Sequence, residues 1–197
     1  MKKIGFFGGS FNPVTYAHIN LAKQIISECN LDKLFFIPIG DFYEKQGLIE
    51  FKHRYNMLKL LCNKNNKLEV SDIENNQENK LYAIDIFKII KNKYPEDDLY
   101  YIMGSDNLKQ IDKWKEHDKL ITDYKYIVLE RSKNEFDNII KENELIKSYI
   151  QNYTIISNEN YMSISSSLAR QKLELHESVK NLIPKEVVEY IHKNNLY

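Results

Sequence analysis

Several things are scarce in this 197-residue chain, and each scarcity closes a door. There are two cysteines, Cys29 and Cys62, which excludes a disulfide scaffold and a four-cysteine zinc site. Both fall at apolar helical positions, so they read as buried thiols in a reducing cytoplasm. No apolar run approaches the ~20 residues needed to span a bilayer. The apolar stretch after Lys2-Lys3 breaks on glycines too soon to be a signal-peptide core. Charge of one sign is missing as well: Lys plus Arg is 28, Asp plus Glu is 28, and the formal net charge is zero. No basic excess marks a nucleic-acid binder. Only three of the basic residues are arginines, Arg54, Arg131 and Arg170. In a lysine-rich background, each is worth examining as a site that needs a planar fork of donors.

What is present is an alternation of short apolar runs with longer amphipathic stretches. The runs predict strands at Lys3–Phe7, Lys33–Ile37, Leu68–Ser71, Leu99–Met103, Tyr126–Leu129 and Tyr153–Ile156. They are apolar on both sides, as in strands covered on two faces. Between them, Ala17, Leu21, Ala22, Ile25, Ile26 and Cys29 share a helical face. Tyr55, Leu58, Leu61 and Cys62 do the same, as do Ala83, Ile84, Phe87 and Ile90. Pro184 suits the start of a last helix reaching about Lys193. Positions 131–150 are charged and read as a helix or an insertion. The predicted fold is α/β, a doubly wound parallel sheet in one domain, 1–197, with a C-terminal helical part from about 163.

In such a sheet, ligands bind beyond the carboxyl ends of the strands. Three segments there carry chemistry. The first is Gly8-Gly9-Ser10-Phe11-Asn12-Pro13-Val14-Thr15-Tyr16-Ala17-His18. Its glycines let backbone donors approach a ligand, and Thr15 and His18 face one point as a helix begins. It is neither a Walker loop nor a dinucleotide fingerprint. The second is Ser163-Ile164-Ser165-Ser166-Ser167-Leu168-Ala169-Arg170, cap material with an arginine one turn in. The third is Gly104-Ser105-Asp106-Asn107, followed by Trp114, the single tryptophan. Asp106 suits a ribose hydroxyl and Trp114 a flat ring. Each segment alone also reads as an ordinary turn, cap or core residue.

Together, GGSFNPxTxAH, GSDNLxxxxxW and ISSSxAR resemble the HxGH/ISSTxIR nucleotidyltransferases, and within them the bacterial nicotinate mononucleotide adenylyltransferase family. The resemblance runs from residue 3 to about 192. It implies a Rossmann-like fold and adenylyl transfer from ATP to nicotinate mononucleotide, giving deamido-NAD and pyrophosphate. It also implies Mg²⁺ carried mainly by substrate phosphates, with no dedicated protein metal site. By the resemblance, His18, Thr15 and Arg170 are catalytic. Gly8, Gly9, Ser10, Phe11, Gly104, Asp106, Ser165 and Ser166 bind ATP, with the C-terminal part closing the triphosphate site. Lys45, Trp114, Lys115 and Arg131 bind the acceptor.

The acceptor side departs from the family pattern. Its loop is reduced to Asp41-Phe42-Tyr43-Glu44-Lys45. The family's Ser-Tyr-Thr is Leu81-Tyr82-Ala83 here, and Ile86 stands for a further Thr. Thr15-Tyr16-Ala17-His18 replaces the usual first His and the motif Gly. The same chemistry on another phosphorylated acceptor and a nucleotide sensor without turnover are the competing expectations. Neither a nucleic acid nor a membrane is an expected partner, and oligomeric state is not readable.

Overall fold

The computed structural model describes residues 1–43, 45–75, 80–130, 132–157, 161 and 163–197. Six parallel strands form one sheet in the order β3-β2-β1-β4-β5-β6. They are β1 (Lys3–Gly9), β2 (Lys33–Pro38), β3 (Leu68–Val70), β4 (Asp98–Gly104), β5 (Lys125–Glu130) and β6 (Tyr153–Ser157). All six coincide with the apolar runs of the sequence, within one or two residues at each end. The helices are α1 (Tyr16–Glu28), α2 (Phe51–Cys62), α3 (Ala83–Lys93), α4 (Ser105–Leu108), α5 (His117–Asp123), α6 (Glu135–Glu142), α7 (Glu144–Ser148), α8 (Ser166–Glu174) and α9 (Lys185–Lys193). The charged stretch after residue 131 is thus largely helical, in α6 and α7.

Alternation along β1 explains why the strands are apolar throughout. Phe7 joins a core with Ile25 and Leu21 of α1, Met57 and Leu58 of α2, Ala169 of α8 and Val187 of α9. Ile4 and Phe6 point to the opposite face, against Ile86 and Ile90 of α3. A third cluster under β4 and β5 takes Phe87 of α3, Leu120 and Ile121 of α5, Phe136 of α6 and Ile146 of α7. Helices therefore cover both faces, which buries Ile4, Phe6 and Phe7 of β1 and Ile102 and Met103 of β4.

The strand order reverses between β1 and β4, and crevices for ligands open at such a switch point. The loops after β1, β2 and β4 meet there. One close contact fixes the edge beside it. Gly40, after β2, donates its N–H to Glu74 Oε2 at 3.2 Å. A Cβ on Gly40 would lie 2.5 Å from the Glu74 carbonyl oxygen. Backbone cannot swing aside as a side chain does. Gly40→Ala is therefore expected to cost about 1–3 kcal/mol in urea unfolding. A loss below about 0.5 kcal/mol, the range of ordinary surface substitutions, would contradict this contact.

Candidate active site

A cavity of about 340 Å³ sits at the switch point. Gly8, Gly9, Phe11, His18, Gly104, Asp106, Ser165 and Ser166 line it. The fold thus brings together residues from three segments far apart in sequence. A larger cavity of about 1340 Å³ lies between α1 and the C-terminal helices. Its lining includes none of the residues expected to be catalytic or to bind either substrate, so the smaller cavity is the chemically relevant one.

The turn after β1 is built to present His18. Phe11 adopts a left-handed conformation, φ 47°, unusual for a residue with a side chain. Its ring is buried, edge-on to Phe7, Phe36 and His18, and this packing holds the turn. Thr15 then caps α1. The Thr15 N–H donates to His18 Nδ1 at 3.0 Å, and Thr15 Oγ1 lies 2.8 Å from the same nitrogen. A backbone N–H can only donate, so Nδ1 is the acceptor and the ring proton belongs on Nε2. Thr15 is fully buried. The sequence placed Thr15 and His18 facing one ligand point. The structure corrects this: Thr15 is a positioning residue that fixes the tautomer of His18. Burial pushes the His18 pKa down to about 4, so the ring is neutral at pH 7.

The serine segment caps α8. Ser165 Oγ accepts from the Leu168 N–H at 3.1 Å, and Ser166 Oγ donates to the Pro13 carbonyl at 2.8 Å. Both hydroxyls, expected to hold phosphate, are thus engaged in the protein. The helix start keeps the backbone donors that any helix leaves unpaired. Arg170 Nη1 donates to the Asn12 carbonyl at 2.7 Å, and Nη2 lies 3.4 Å from Ser167 Oγ. It stands behind the glycine turn rather than in the cavity lining. At the end of β4, the Asp106 carboxylate occupies the space where a Gly104 Cβ would sit, which explains the glycine.

The acceptor-side residues divide. Lys45 Nζ donates to Ser10 Oγ at 3.0 Å, so these two meet at the turn. Trp114 is partly buried against the cluster that Ala83 and Tyr101 also pack against. Lys115 Nζ approaches Asp85 Oδ1 at 3.4 Å and lies 4.9 Å over the Tyr82 ring, at the start of α3. Arg131, expected at the acceptor, and Glu44 of the shortened loop lie outside the described residues.

Residues 6–172 match the cytidylyltransferase-like family model. A protein of Carboxydothermus hydrogenoformans named "Probable nicotinate-nucleotide adenylyltransferase" is 35% identical over 99% of this chain and 98% of its own. One of Clostridium tetani with the same name is 31% identical over the full length of both. The chain belongs to the nicotinate-nucleotide adenylyltransferases, within the cytidylyltransferase-like family. Among solved structures, the Plasmodium falciparum nicotinic acid mononucleotide adenylyltransferase complexed with NaAD is similar with a TM-score of 0.81 and 28% identity. That similarity covers 100% of this chain and 98% of that one. The same enzyme complexed with APC gives a TM-score of 0.79 at equal identity and coverage.

For this adenylyltransferase-family chain, the sequence motifs left the supports of the site unassigned. Asn12 is buried, and its Nδ2 donates to the Gly47 carbonyl at 2.7 Å. Its Oδ1 accepts from Tyr197 Oη at 2.6 Å and from the Ile49 N–H at 3.3 Å. Arg54 is fully buried. It donates to the Ile49 carbonyl at 2.8 Å, the Ser10 carbonyl at 3.2 Å and Asp41 Oδ1 at 3.3 Å. Glu74, close to Arg54 and Gly40, is also buried, and burial raises its pKa to about 7. Asn12 sat inside a quoted motif and Arg54 was one of three arginines. Glu74 and Tyr197 carried no signal at all, since only tertiary contacts give them meaning.

The His18 geometry has a pH consequence. A ring that titrates near 4 when folded and near 6.5 when unfolded binds its proton preferentially in the unfolded chain. Stability from neutral His18 is complete above about 6.5 and declines as pH falls toward 4. A histidine NMR titration should show one ring with a midpoint near 4, protonated on Nε2 at pH 7. A midpoint near 6.5, or a proton on Nδ1, would contradict the Thr15–His18 arrangement.

Proposed function

We propose that this chain transfers the adenylyl group of ATP to nicotinate mononucleotide, releasing deamido-NAD and pyrophosphate. The observation that carries the proposal is the cavity at the switch point, where the glycine turn, His18 and the α8 start converge in a chain with the full-length family match just described. In the reaction, an acceptor phosphate oxygen bonds to the α-phosphorus of ATP, and the bond from that phosphorus to the β-bridging oxygen breaks. The acceptor is already an anion, so no general base and no covalent enzyme intermediate are needed. Catalysis is positioning plus stabilisation of charge on the α-phosphate.

His18 Nε2–H is the donor to that phosphate. Its neutrality matters: it arrives as a hydrogen-bond donor with no proton to lose at pH 7, and Thr15 keeps it in that tautomer. Gly8, Gly9, Ser10 and Phe11 bring backbone close to the phosphates. The N–H groups at the start of α8 favour the departing β- and γ-phosphates, with Ser165 and Ser166 shaping that start. Arg170 adds positive charge behind the turn. Gly104 and Asp106 lie on the adenosine side. Lys45, Trp114 and Lys115 belong to the acceptor side, Trp114 as a platform for the pyridine ring. Arg131 is retained there on the resemblance alone.

A magnesium ion, when carried in by the triphosphate, neutralises charge on its oxygens. The donor set fits such a substrate-borne ion. Among the described residues no group of three or more His, Cys, Asp or Glu is placed to cage a metal, and Asp106 is the carboxylate in the cavity lining. Among them, too, no helix is long and apolar enough to cross a membrane. We place the protein in the cytoplasm, supported by two free thiols, Cys29 and Cys62.

The test is incubation with ATP, Mg²⁺ and nicotinate mononucleotide, with mass spectrometry of the product and a pyrophosphate assay. Deamido-NAD and pyrophosphate should appear in equal amounts. His18→Ala should lower turnover by about 10²–10³, the usual loss for one transition-state donor, with the fold retained. Turnover of a different phosphorylated acceptor alone would reassign the substrate. Nucleotide binding without pyrophosphate would support a sensor.

A further inference from the structure

This inference rests on the acceptor reading just given and deepens it. The acceptor side lacks hydroxyls at Leu81 and Ala83, the positions where the family pattern carries them. A polar end group on a bound mononucleotide still has to be met by something, since burying it without a partner is costly. The fold brings one hydroxyl to that place from a different element, the middle of β4.

Tyr101 sits on β4 directly beside β1. Its ring is locked among aromatics, 4.4 Å from Phe87 and 6.5 Å from Tyr126 between centroids. It packs with Trp114 and Ala83 against one cluster, and with Leu81 against another. The ring therefore bridges the cluster that Trp114 and Ala83 pack against and the one that Leu81 packs against. Its hydroxyl reaches toward Gly8: a Cβ built there would lie 2.8 Å from Tyr101 Oη. Gly8 itself lines the nucleotide cavity. The oxygen thus stands beside the glycine turn, in space that any residue larger than glycine at position 8 would occupy.

Three other tyrosines spend their hydroxyls inside the protein. Tyr126 donates to the Leu120 carbonyl at 2.6 Å, Tyr100 to Asp98 at 2.6 Å and Tyr43 to the Leu81 carbonyl at 3.3 Å. No hydrogen bond from a described residue engages Tyr101 Oη. Burial, with the nearby Glu74 carboxyl and Tyr43, pushes its pKa upward, so the phenol keeps its proton and remains a donor.

We propose that Tyr101 is a specificity residue for the acceptor, its hydroxyl donating to an oxygen of the mononucleotide held between Gly8 and Trp114 in place of the hydroxyls missing at Leu81 and Ala83. Tyr101→Phe removes one oxygen and keeps the ring packing. The full-length variant should melt within a few degrees of wild type. Its KM for nicotinate mononucleotide should rise about tenfold, while KM for ATP stays within about twofold. An unchanged acceptor KM, or equal rises for both substrates, would overturn the proposal. Wild type is assayed alongside. If wild type turns over nicotinate mononucleotide and Tyr101→Phe matches it, this inference alone fails. If wild type neither binds nor turns over that acceptor, the functional reading fails and takes the inference with it.

Discussion

One buried amide holds the two halves of this site together. Asn12 has three side-chain bonds and a fourth through its carbonyl, to Gly47, Ile49, Tyr197 and Arg170. Those partners belong to the loop before α2, to the segment after α9 and to α8. The glycine turn can stand open toward a ligand because its other side is tied down. Burying an amide is favourable only when its donors and acceptors are met, and here both ends of the side chain are used.

Arg54 braces the same turn from α2. Its guanidinium takes the Ser10 and Ile49 carbonyls and Asp41, so it links the turn, the acceptor-side loop and the helix that follows. Burial lowers its pKa and Asp41 opposes that shift, which fits a charge kept paired inside the protein. On this frame the reactive features are small. A threonine sets which nitrogen of His18 bears the proton, and serine hydroxyls close a helix cap and a turn. On the proposed reading, the groups offered to substrate are backbone donors, one imidazole N–H and one tyrosine hydroxyl.

The sheet was legible because its strands are buried on both faces. Continuous apolar runs such as Lys33–Ile37 and Tyr126–Leu129 have no other good use in a chain of this composition. The turn, the serine cap and the Gly104 segment were legible because glycines and cap residues mark backbone geometry locally. Their convergence followed from a general rule about strand ends. What stayed hidden depends on contacts across the fold. Thr15 read as a ligand-facing hydroxyl, since spacing alone does not reveal that it lies under His18 rather than beside it. Ser165 and Ser166 read as phosphate contacts, whereas their hydroxyls serve the cap and the turn. Tyr101 looked like one more aromatic in a strand, and only the glycine opposite its hydroxyl distinguishes it.

The central claim is that the glycine turn is one mechanical unit serving both substrates, with Asn12 as its fastening. The direct measurement is steady-state kinetics of Asn12→Ala, with ATP and nicotinate mononucleotide varied in turn, below a melting temperature checked by circular dichroism. Loss of the side-chain amide frees the loop at Gly47 and Ile49 and the Tyr197 hydroxyl at once, and the turn whose main-chain carbonyl meets Arg170 loses its fastening. KM for both substrates should rise together and kcat should fall, in a protein that is still folded. A change confined to one substrate, or kinetics equal to wild type, would contradict the account.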